Sequence, residues 1–402
     1  MNIPFSPPYI DESIIEEVVN TLKSGWITTG PKVKALEEAI AKYISMSPVL
    51  CVNSWTSGAF MMLKWFGIKE GDEVIVPAYT YSSTALVVLH CGAKPVMVDI
   101  NDEFVISKEA IRKAITPRTK AIIPVDIAGW PCDYEGIMNL INEKEIIALF
   151  QPESEVQKNL NRIILIADAA HSFGATYKGK SPAVIPDISI YSLHAVKNLT
   201  TAEGGAICIN LPSPFNNTEI YKYLRMMTLN GQSKDAFQKS EAGGWKYDIL
   251  MQGLKINMPD ICASIGLAQI RIYNRLLAER KILFQKYSDS FGVFDWIQLP
   301  PQDTLNQTSS YHLYALRIRG INENQRDLMI KEITKAGIAV NVHFIPLPML
   351  TLFKGLGFRI EEYPSSYYNY SREISLPIYP QLTTDQVDYI VQQTVIAYKK
   401  II

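Results

Sequence analysis

The alternation of short apolar runs with helical segments between residues 73 and 209 constrains the fold more than any other feature of this chain. Strand-like runs such as EVIVPAYTY, KPVMVDI, KAIIPVDIAG and RIILIADAA alternate with helical stretches such as SKEAIRKAI and YEGIMNLINEKEI. DISIYSLH and EGGAICIN add two further strands. Strands that are joined by helical crossovers form parallel sheets with helices on both faces. The sequence therefore predicts an α/β fold around a mostly parallel central sheet.

The pattern changes near residue 250. ICASIGLAQIRIYNRLLAERKILFQKYSDSF predicts one long helix over 261–291, and strand-like and helical segments follow it in the order of a smaller α+β domain. We therefore predict a large domain over 1–251, which includes two N-terminal helices, and a small C-terminal domain over 252–402 with the connecting helix. Residues 144–160 are polar and are expected to form a surface excursion away from the site.

Composition argues against several classes of protein. The 402 residues include 39 Lys and Arg against 40 Asp and Glu, so the chain as a whole has no basic field for nucleic acid. Five cysteines, never spaced as C-x-x-C, argue against a disulfide framework or a metal site. The start, MNIPFSPPYIDES, has no apolar signal segment, and no apolar run approaches the ~18 residues of a membrane span. A cytoplasmic protein with reduced thiols is expected.

Three groups of polar residues lie where an α/β sheet binds ligands, beyond the ends of its strands. Asp168 ends the apolar strand of IILIADAAHS, with His171 three residues later, and Lys197 follows the strand of SIYSLH. Thr56 and Ser57 stand at the start of a helix, where free N–H groups favour a phosphate. Taken singly, each group has an ordinary alternative: a turn-capping acid, a solvated lysine or a helix N-cap.

Together, these groups are the parts that hold pyridoxal 5′-phosphate (PLP). A lysine forms a Schiff base with the aldehyde, a helix start binds the phosphate, and a carboxylate pairs with the protonated pyridine nitrogen. Gly204 and Gly205 allow a tight turn or a close backbone approach. They do not form the G-x-G-x-x-G fingerprint, which disfavours a nicotinamide dehydrogenase.

An ordered series of motifs runs over nearly the whole chain: SGWITTGP, VNSWTSGA, VIVPAYTYSSTA, GAKPVMVD, AIIPVDIAGWPCD, ADAAHSFGATYKGK, SLHAVKNLTTAEGG, KINMPDICASIGLAQ, YHLYALRI, VNVHFIPL and ISLPIYP. This series resembles the DegT-type (DegT/DnrJ/StrS) PLP-dependent nucleotide-sugar aminotransferases, which have the fold of aspartate aminotransferase (PLP fold type I). The resemblance implies a homodimer in which the two chains share their active sites.

The resemblance also implies roles around the cofactor ring. Lys197, in HAVKN, matches the catalytic Schiff-base lysine, which moves a proton between the substrate carbon and the cofactor. Asp168 matches the acid that pairs with the pyridine nitrogen. His171 matches a residue that hydrogen-bonds the phenolic oxygen, with a bond to a backbone carbonyl as the alternative. Tyr81 matches the aromatic residue that stacks on the ring, with a core aromatic as the alternative.

For the phosphate, the resemblance implies Thr56, Ser57 and Ser192 as ligands. Asn257, in KINMPD, matches an asparagine that reaches the phosphate from the partner subunit, so a complete site requires two chains.

Two positions depart from the family. Asp126 stands where many members have histidine, which would alter a contact near either the cofactor or the substrate, and Trp55 replaces a small residue in the phosphate turn. His343, in NVHF, matches a position near the substrate, and a buried structural histidine is an equal alternative.

The implied reaction is transfer of an amino group from L-glutamate to a nucleotide-linked 4-keto-6-deoxy sugar, with ping-pong kinetics. SGWITTGP and HAVKNLTTAEGG are more similar to members that aminate C4 than to members that aminate C3. The product would enter polysaccharide, glycan or antibiotic-sugar assembly. The alternatives are an aminotransferase for a ketocyclitol or another non-nucleotide ketone, and a non-catalytic regulator or scaffold with the same fold.

Overall fold

The computed structural model describes residues 2–233 and 246–402. The α-helices are α1 (Glu12–Lys23), α2 (Pro31–Ile44), α3 (Trp55–Phe66), α4 (Ser83–His90), α5 (Lys108–Ala114), α6 (Tyr134–Ile141), α7 (Lys144–Leu149), α8 (Glu155–Leu160), α9 (Asn217–Met227), α10 (Asp260–Phe291), α11 (Glu323–Lys335), α12 (Thr351–Gly355), α13 (Pro364–Tyr370) and α14 (Thr384–Ile401). The strands are β1 (Val49–Val52), β2 (Glu73–Pro77), β3 (Lys94–Val98), β4 (Thr119–Ile122), β5 (Ile164–Asp168), β6 (Thr176–Tyr177), β7 (Ile188–Ser192), β8 (Gly205–Ile209), β9 (Ile297–Gln298), β10 (Gln307–Thr308), β11 (Tyr314–Ile318) and β12 (Glu373–Leu376). Short 3₁₀ turns cover Ile127–Gly129, Pro182–Val184, Leu347–Met349 and Ile360–Glu362.

A seven-stranded sheet in the order β1-β8-β7-β5-β4-β2-β3 forms the centre of the large domain. Neighbouring strands from β3 to β7 pair in parallel, whereas β8 is antiparallel to both of its neighbours. Every residue of β2, β4, β5 and β8 is buried, since packed cores cover both faces of the sheet. Burial on two faces explains the nearly continuous apolar runs in the sequence. The predicted α/β fold is confirmed.

The carboxyl ends of the parallel strands meet at one edge of the sheet. Asp168 is the last residue of β5, and Ser192 is the last residue of the neighbouring strand β7. β1 runs in the same direction as β7, because both are antiparallel to β8. The start of α3, three residues beyond the end of β1, therefore lies at this edge too.

A three-stranded antiparallel sheet in the order β12-β11-β9 packs against α11 and α14 around a second core. The long helix predicted over 261–291 is confirmed as α10, which serves both cores: Leu267 packs beneath the large sheet, and Leu283 and Tyr287 belong to the second core. Ile3, near the start of the chain, also packs in the second core. The division at residue 251 stays a prediction, since Ile3 packs in the second core whereas Leu347 and Phe353 pack in the main core.

Residues 144–160 form the two short helices α7 and α8 and are more buried than expected. Ile146, Phe150 and Leu160 pack in the main core, and Nε2 of Gln157 donates a hydrogen bond to the carbonyl of Phe66 at 3.0 Å. This segment therefore caps the end of α3, on the side away from the cavity described below. In the part of the chain that the structure describes, no helix combines the length and apolar character needed to cross a bilayer.

Candidate active site

A cavity of about 640 Å³ opens at the carboxyl edge of the central sheet. Six of the eight residues predicted for the site line it: Thr56, Tyr81, Asp168, His171, Ser192 and Lys197. Ser57 lies one residue beyond the lining, and Asn257 lies outside it. Parallel pairing of β5 and β7 explains why groups that are distant in sequence meet here.

The Asp168 carboxyl lies at the wall of this cavity and is 4% exposed. Oδ2 accepts a hydrogen bond from Oγ1 of Thr84 in α4 at 2.9 Å, and Oδ1 accepts one from the N–H of Ala170 at 3.3 Å. Among the described residues, no Lys, Arg or His side chain lies within ion-pair distance of it. Burial is the main cause that raises the pKa of Asp168 to about 7. The site therefore offers a buried carboxyl that lacks a cationic partner.

Lys197 reaches the same cavity from the loop that follows β7. Burial lowers the pKa of Lys197 to about 8, and the nearby Asp168 carboxyl opposes that shift in pKa. A lysine with a lowered pKa provides a neutral amine near physiological pH, which is what attack on an aldehyde requires. Lys197 is only partly exposed, so it is not a fully solvated surface lysine, and its Schiff-base role stays a prediction.

The ring of His171 is held as one tautomer. Its Nδ1 accepts a hydrogen bond from the N–H of Ala128 at 3.2 Å, so the neutral ring carries its hydrogen on Nε2. Burial and the Lys197 charge lower the pKa of His171 well below its usual range, which keeps the ring neutral. His171 therefore offers a hydrogen-bond donor to a ligand in the cavity, and its backbone partner is an N–H rather than a carbonyl.

The start of α3 lies at the cavity, where Ser54 and Thr56 line the wall. Oγ of Ser54 caps the helix by accepting from the N–H of Ser57 at 3.0 Å, and it also lies 2.7 Å from Oγ of Ser57. The first turn of a helix leaves further N–H groups without partners within the helix. Gly205, at the start of β8, allows the backbone of Ser54 to lie close to that strand, because a Cβ at this position would be 2.7 Å from the Ser54 carbonyl carbon. The predicted close backbone approach at Gly205 is confirmed.

Asn257 lies beside this helix start, although its side chain bonds within its own chain. Nδ2 donates to Oγ1 of Thr29 at 2.5 Å, and the backbone of Asn257 pairs with that of Val52 at the end of β1. The role implied for Asn257, contact with the phosphate in a partner subunit, stays a prediction.

Aromatic side chains from distant segments form the rest of the wall. Tyr81 is 61% exposed, so the core-aromatic alternative is wrong, and its ring lies 5.8 Å from that of Phe344. Phe344 also stacks near His171 at 6.0 Å, and Phe5 stacks on His343 at 5.4 Å. Sequence reasoning missed Phe5 and Phe344, because nothing in their local pattern distinguishes a cavity aromatic from a core one.

The two departures from the family pattern serve different purposes. Asp126 is fully buried behind the site, where its carboxylate accepts hydrogen bonds from Tyr134 (2.6 Å), Ser172 (2.5 Å) and the N–H of Cys132 (2.9 Å). Burial raises the pKa of Asp126 to about 6. Asp126 therefore braces the segment after β5 and does not line the cavity. Trp55 does line it, with most of its ring buried in the main core.

Sequence reasoning also missed Thr84 and Ser54, which hold predicted residues in place. A serine directly before a helical segment is a usual N-cap signal, so Ser54 could have been found. Thr84 gave no such signal, since its bond to Asp168 spans 84 residues.

These residues fit PLP. Asp168 lacks the cation that a protonated ring nitrogen would supply, Lys197 shares its cavity, and the capped start of α3 lies at the same edge. The donor set therefore matches a pyridine ring, an aldehyde and a phosphate.

Comparison with known proteins agrees with this fit. A model of the DegT/DnrJ/EryC1/StrS aminotransferase family matches residues 8–151 and 155–395. The chain is 38% identical to the uncharacterized protein MJ1066 of Methanocaldococcus jannaschii, over 99% of this chain and 98% of the relative. It is 32% identical to the spore coat polysaccharide biosynthesis protein SpsC of Bacillus subtilis, over 97% of this chain and 95% of the relative.

Solved structures of Spr1654 from Streptococcus pneumoniae, which is assigned as a sugar aminotransferase, superpose with a TM-score of 0.95. The identity is 43% for the PMP form and 42% for the PLP form, and each covers 100% of both chains. The buried acid, the lysine and the capped start of α3 thus agree with the family match, which extends along nearly the whole sequence. The chain belongs to the DegT/DnrJ/EryC1/StrS family and is a PLP-dependent aminotransferase with the aspartate aminotransferase fold.

Proposed function

We propose that the protein transfers an amino group from L-glutamate to C4 of a nucleotide-linked 4-keto-6-deoxy sugar, in the cytoplasm, for the synthesis of a polysaccharide or glycan. The observation that carries the proposal is the pairing of the buried Asp168 with the partly buried Lys197 at the wall of one cavity. A relative that acts in spore coat polysaccharide biosynthesis, and another assigned as a sugar aminotransferase, support a sugar as the acceptor.

When bound, the cofactor supplies an aldehyde that exchanges amino groups and a ring that accepts the electron pair of a broken C–H bond. Lys197 would hold the aldehyde and, when displaced by substrate, would move a proton at Nζ. Asp168 would pair with the ring nitrogen, and Nε2–H of His171 would donate to the phenolic oxygen. Tyr81 would stack on the cofactor ring, since the tyrosine ring is exposed in the cavity.

The phosphate would bind at the start of α3. The hydroxyls of Thr56, Ser57 and Ser192 and the free N–H groups of the first helical turn are the donors proposed for it. Asn257 would add a donor from the partner subunit.

The rest of the lining suits a deoxy sugar. Phe5, Phe344 and Ile345 offer apolar surface for the methyl group of a 6-deoxy sugar, whereas Ser6 and Asn341 offer hydrogen bonds to hydroxyl groups.

The charges that L-glutamate and a nucleotide diphosphate require are scarce in the cavity. Lys197 is the only Lys or Arg among the described residues that line it. Carboxylates and phosphates bind best to Arg, Lys and clustered N–H groups. We therefore propose that a partner subunit completes the site in a homodimer. Ile15, Val19 and Leu22 form an exposed apolar stripe along α1 that suits such an interface.

The visible spectrum of the PLP-loaded protein tests the donor half of the proposal. L-Glutamate should bleach the visible band of the bound cofactor, and Lys197→Ala should show neither the band nor its response. A band that glutamate leaves unchanged would contradict the donor assignment and favour the non-catalytic alternative.

The acceptor is tested with the aminated form of the enzyme. UDP- or dTDP-linked 4-keto-6-deoxy sugars should restore the visible band. Steady-state kinetics with both L-glutamate and the keto sugar should give parallel lines in a double-reciprocal plot. NMR of the product should place the amino group at C4. Turnover of a free ketocyclitol, with no turnover of nucleotide sugars, would contradict the proposal and favour the ketocyclitol alternative.

A further inference from the structure

A chain of hydrogen bonds connects the cavity to a buried acid in the small domain. His343 lines the cavity, and its Nδ1 lies 2.8 Å from Oγ of Ser375 in β12. The same hydroxyl is hydrogen-bonded to Oε1 of Glu373, the first residue of β12. Oε2 of Glu373 accepts a hydrogen bond from the N–H of His343 at 3.0 Å. Glu373 is fully buried, and its carboxyl is connected to the cavity through Ser375 and His343.

The Ser375 hydroxyl has one hydrogen, so this chain has two consistent arrangements. If Glu373 is ionised, Ser375 donates to it and must accept from His343, which then carries its hydrogen on Nδ1. If Glu373 is protonated, it donates to Ser375, and Ser375 donates to Nδ1 of His343. In that second arrangement the neutral imidazole carries its hydrogen on Nε2. Burial lowers the pKa of His343 to about 3, which keeps the ring neutral in either arrangement.

The surroundings of Glu373 favour its protonated form. Two guanidinium groups are near, but Arg317 bonds Oδ1 of Asn369 at 2.7 Å, and Arg326 bonds the main-chain carbonyls of Tyr370 (2.6 Å) and Glu373 (3.2 Å). In the described ranges, no cationic side chain lies within ion-pair distance of the Glu373 carboxyl. A buried carboxyl without an ion pair prefers to be neutral. Burial accordingly raises the pKa of Glu373 to about 8.

We propose that Glu373 and Ser375 are positioning residues that hold His343 in its Nε2–H form, so that the imidazole donates a hydrogen bond into the cavity at neutral pH. The donor would face an oxygen of the keto acceptor, and this assignment of a recipient rests on the proposed function. The proposal about the tautomer itself depends on no reaction. Phe5, stacked on the ring, fixes its plane.

The tautomer is measured directly by long-range ¹H–¹⁵N NMR of the full-length protein labelled with ¹⁵N-histidine. The chain has five histidines, and the His343→Gln variant identifies the signals of His343 by their loss. At pH 7 the expected pattern is Nε2 protonated and Nδ1 bare. The opposite pattern, with hydrogen on Nδ1, would overturn the proposal.

His312 is an internal reference. Its Nδ1 lies 2.9 Å from Oδ1 of Asn198, whose Nδ2 donates to the carbonyl of Ser310 at 2.7 Å. The Asn198 oxygen can only accept, so His312 should carry its hydrogen on Nδ1. His312 and His343 should therefore give opposite patterns in one spectrum.

Two variants test whether Glu373 and Ser375 set the tautomer of His343 or only stabilise the fold. Glu373→Gln replaces the protonated acid by an amide that still donates to Ser375, so Nε2–H should persist from pH 6 to pH 9, whereas the wild type should shift toward Nδ1–H above about pH 8. The other charged or titratable groups near these hydrogen bonds are the same in both proteins: Lys197, Tyr79, His171, His312, Arg317 and Arg326. If the tautomer of His343 changed with pH in the same way in both proteins, the role of Glu373 would be overturned.

Ser375→Ala breaks the chain and should give a mixture of the two tautomers. If the proposed acceptor is correct, its KM should rise about two- to tenfold, as expected for one neutral hydrogen bond, with the L-glutamate half-reaction within twofold of wild type. A pure Nε2–H signal in Ser375→Ala would overturn the positioning role. An absence of any turnover in the wild type would instead count against the proposed function, since the NMR readout requires no substrate.

Discussion

Removal of the Thr84 hydroxyl should weaken cofactor binding through the protonation of Asp168. Thr84→Val keeps the side-chain shape and deletes the hydrogen bond to Oδ2 of Asp168. That bond stabilises the ionised carboxylate, which is the form that pairs with a protonated ring nitrogen. Asp168 should therefore be protonated in a larger fraction of the valine variant, and the variant should bind the cofactor less tightly.

The size of the effect follows from the pKa of Asp168. A hydrogen bond to a charged group contributes about 1.5–3 kcal/mol, or about a 12- to 140-fold shift of the protonation equilibrium. Burial raises the pKa of Asp168 to about 7, so about half of the wild-type protein is ionised at pH 7. The ionised fraction of the variant would fall to between about 8% and 1%, which weakens the apparent affinity about 6- to 70-fold. At pH 9 the wild type is ionised, and the same shift lowers the apparent affinity only about 1.1- to 2.4-fold.

The assay is titration of the apoprotein with PLP, followed by its visible absorption at pH 7 and pH 9. Thr84→Ser, which keeps the hydroxyl, is the matched control and should stay within about threefold of wild type. A dissociation constant for Thr84→Val within twofold of wild type at pH 7, or a defect of equal size at both pH values, would refute the reasoning.

Three further predictions test the stability of the fold and the chemistry of the site. Asp187→Ala leaves the Arg162 guanidinium buried without the carboxylate that it now binds through two 2.7 Å hydrogen bonds, and should lower the free energy of unfolding by about 3–5 kcal/mol in chemical denaturation. Gly205→Ala places a Cβ 2.7 Å from backbone of Ser54, so the start of α3 must shift and PLP affinity should fall at least about tenfold. The rate at which the apoprotein acquires the visible band should rise with pH around the lowered pKa of Lys197, about 8, because only the neutral amine attacks the aldehyde.

The two substitutions have matched controls within the chain. Lys222→Ala removes an exposed pair with Glu219 and should change stability by less than about 1 kcal/mol. Gly355→Ala adds a Cβ that meets no atom within 4 Å and should leave PLP affinity as in wild type. An unchanged free energy of unfolding in Asp187→Ala would contradict the first argument, and normal PLP affinity in Gly205→Ala would contradict the second. A rate of band formation that does not change between pH 7 and pH 9 would contradict the third.

Much of the fold could be predicted from the sequence, because the local spacing of apolar residues indicates which positions are buried. Strands that are buried on both faces must be apolar throughout, and α10 shows the spacing of a helix that packs along its length. Asp168 and Lys197 could be placed at one edge because parallel strands end together. Residues 144–160 were less predictable, since their few apolar residues anchor two helices that the polar composition obscures.

The sequence by itself therefore determined the α/β order, the strand that ends in Asp168, and the loop that carries Lys197. Tertiary structure alone decided the hydrogen bond from Thr84 to Asp168, the N–H that fixes the His171 tautomer, and the turn of Asp126 away from the cavity. The physical reason is that periodicity reports which face of an element is buried, whereas a hydrogen-bond partner across 84 or 43 residues depends on how separate elements pack.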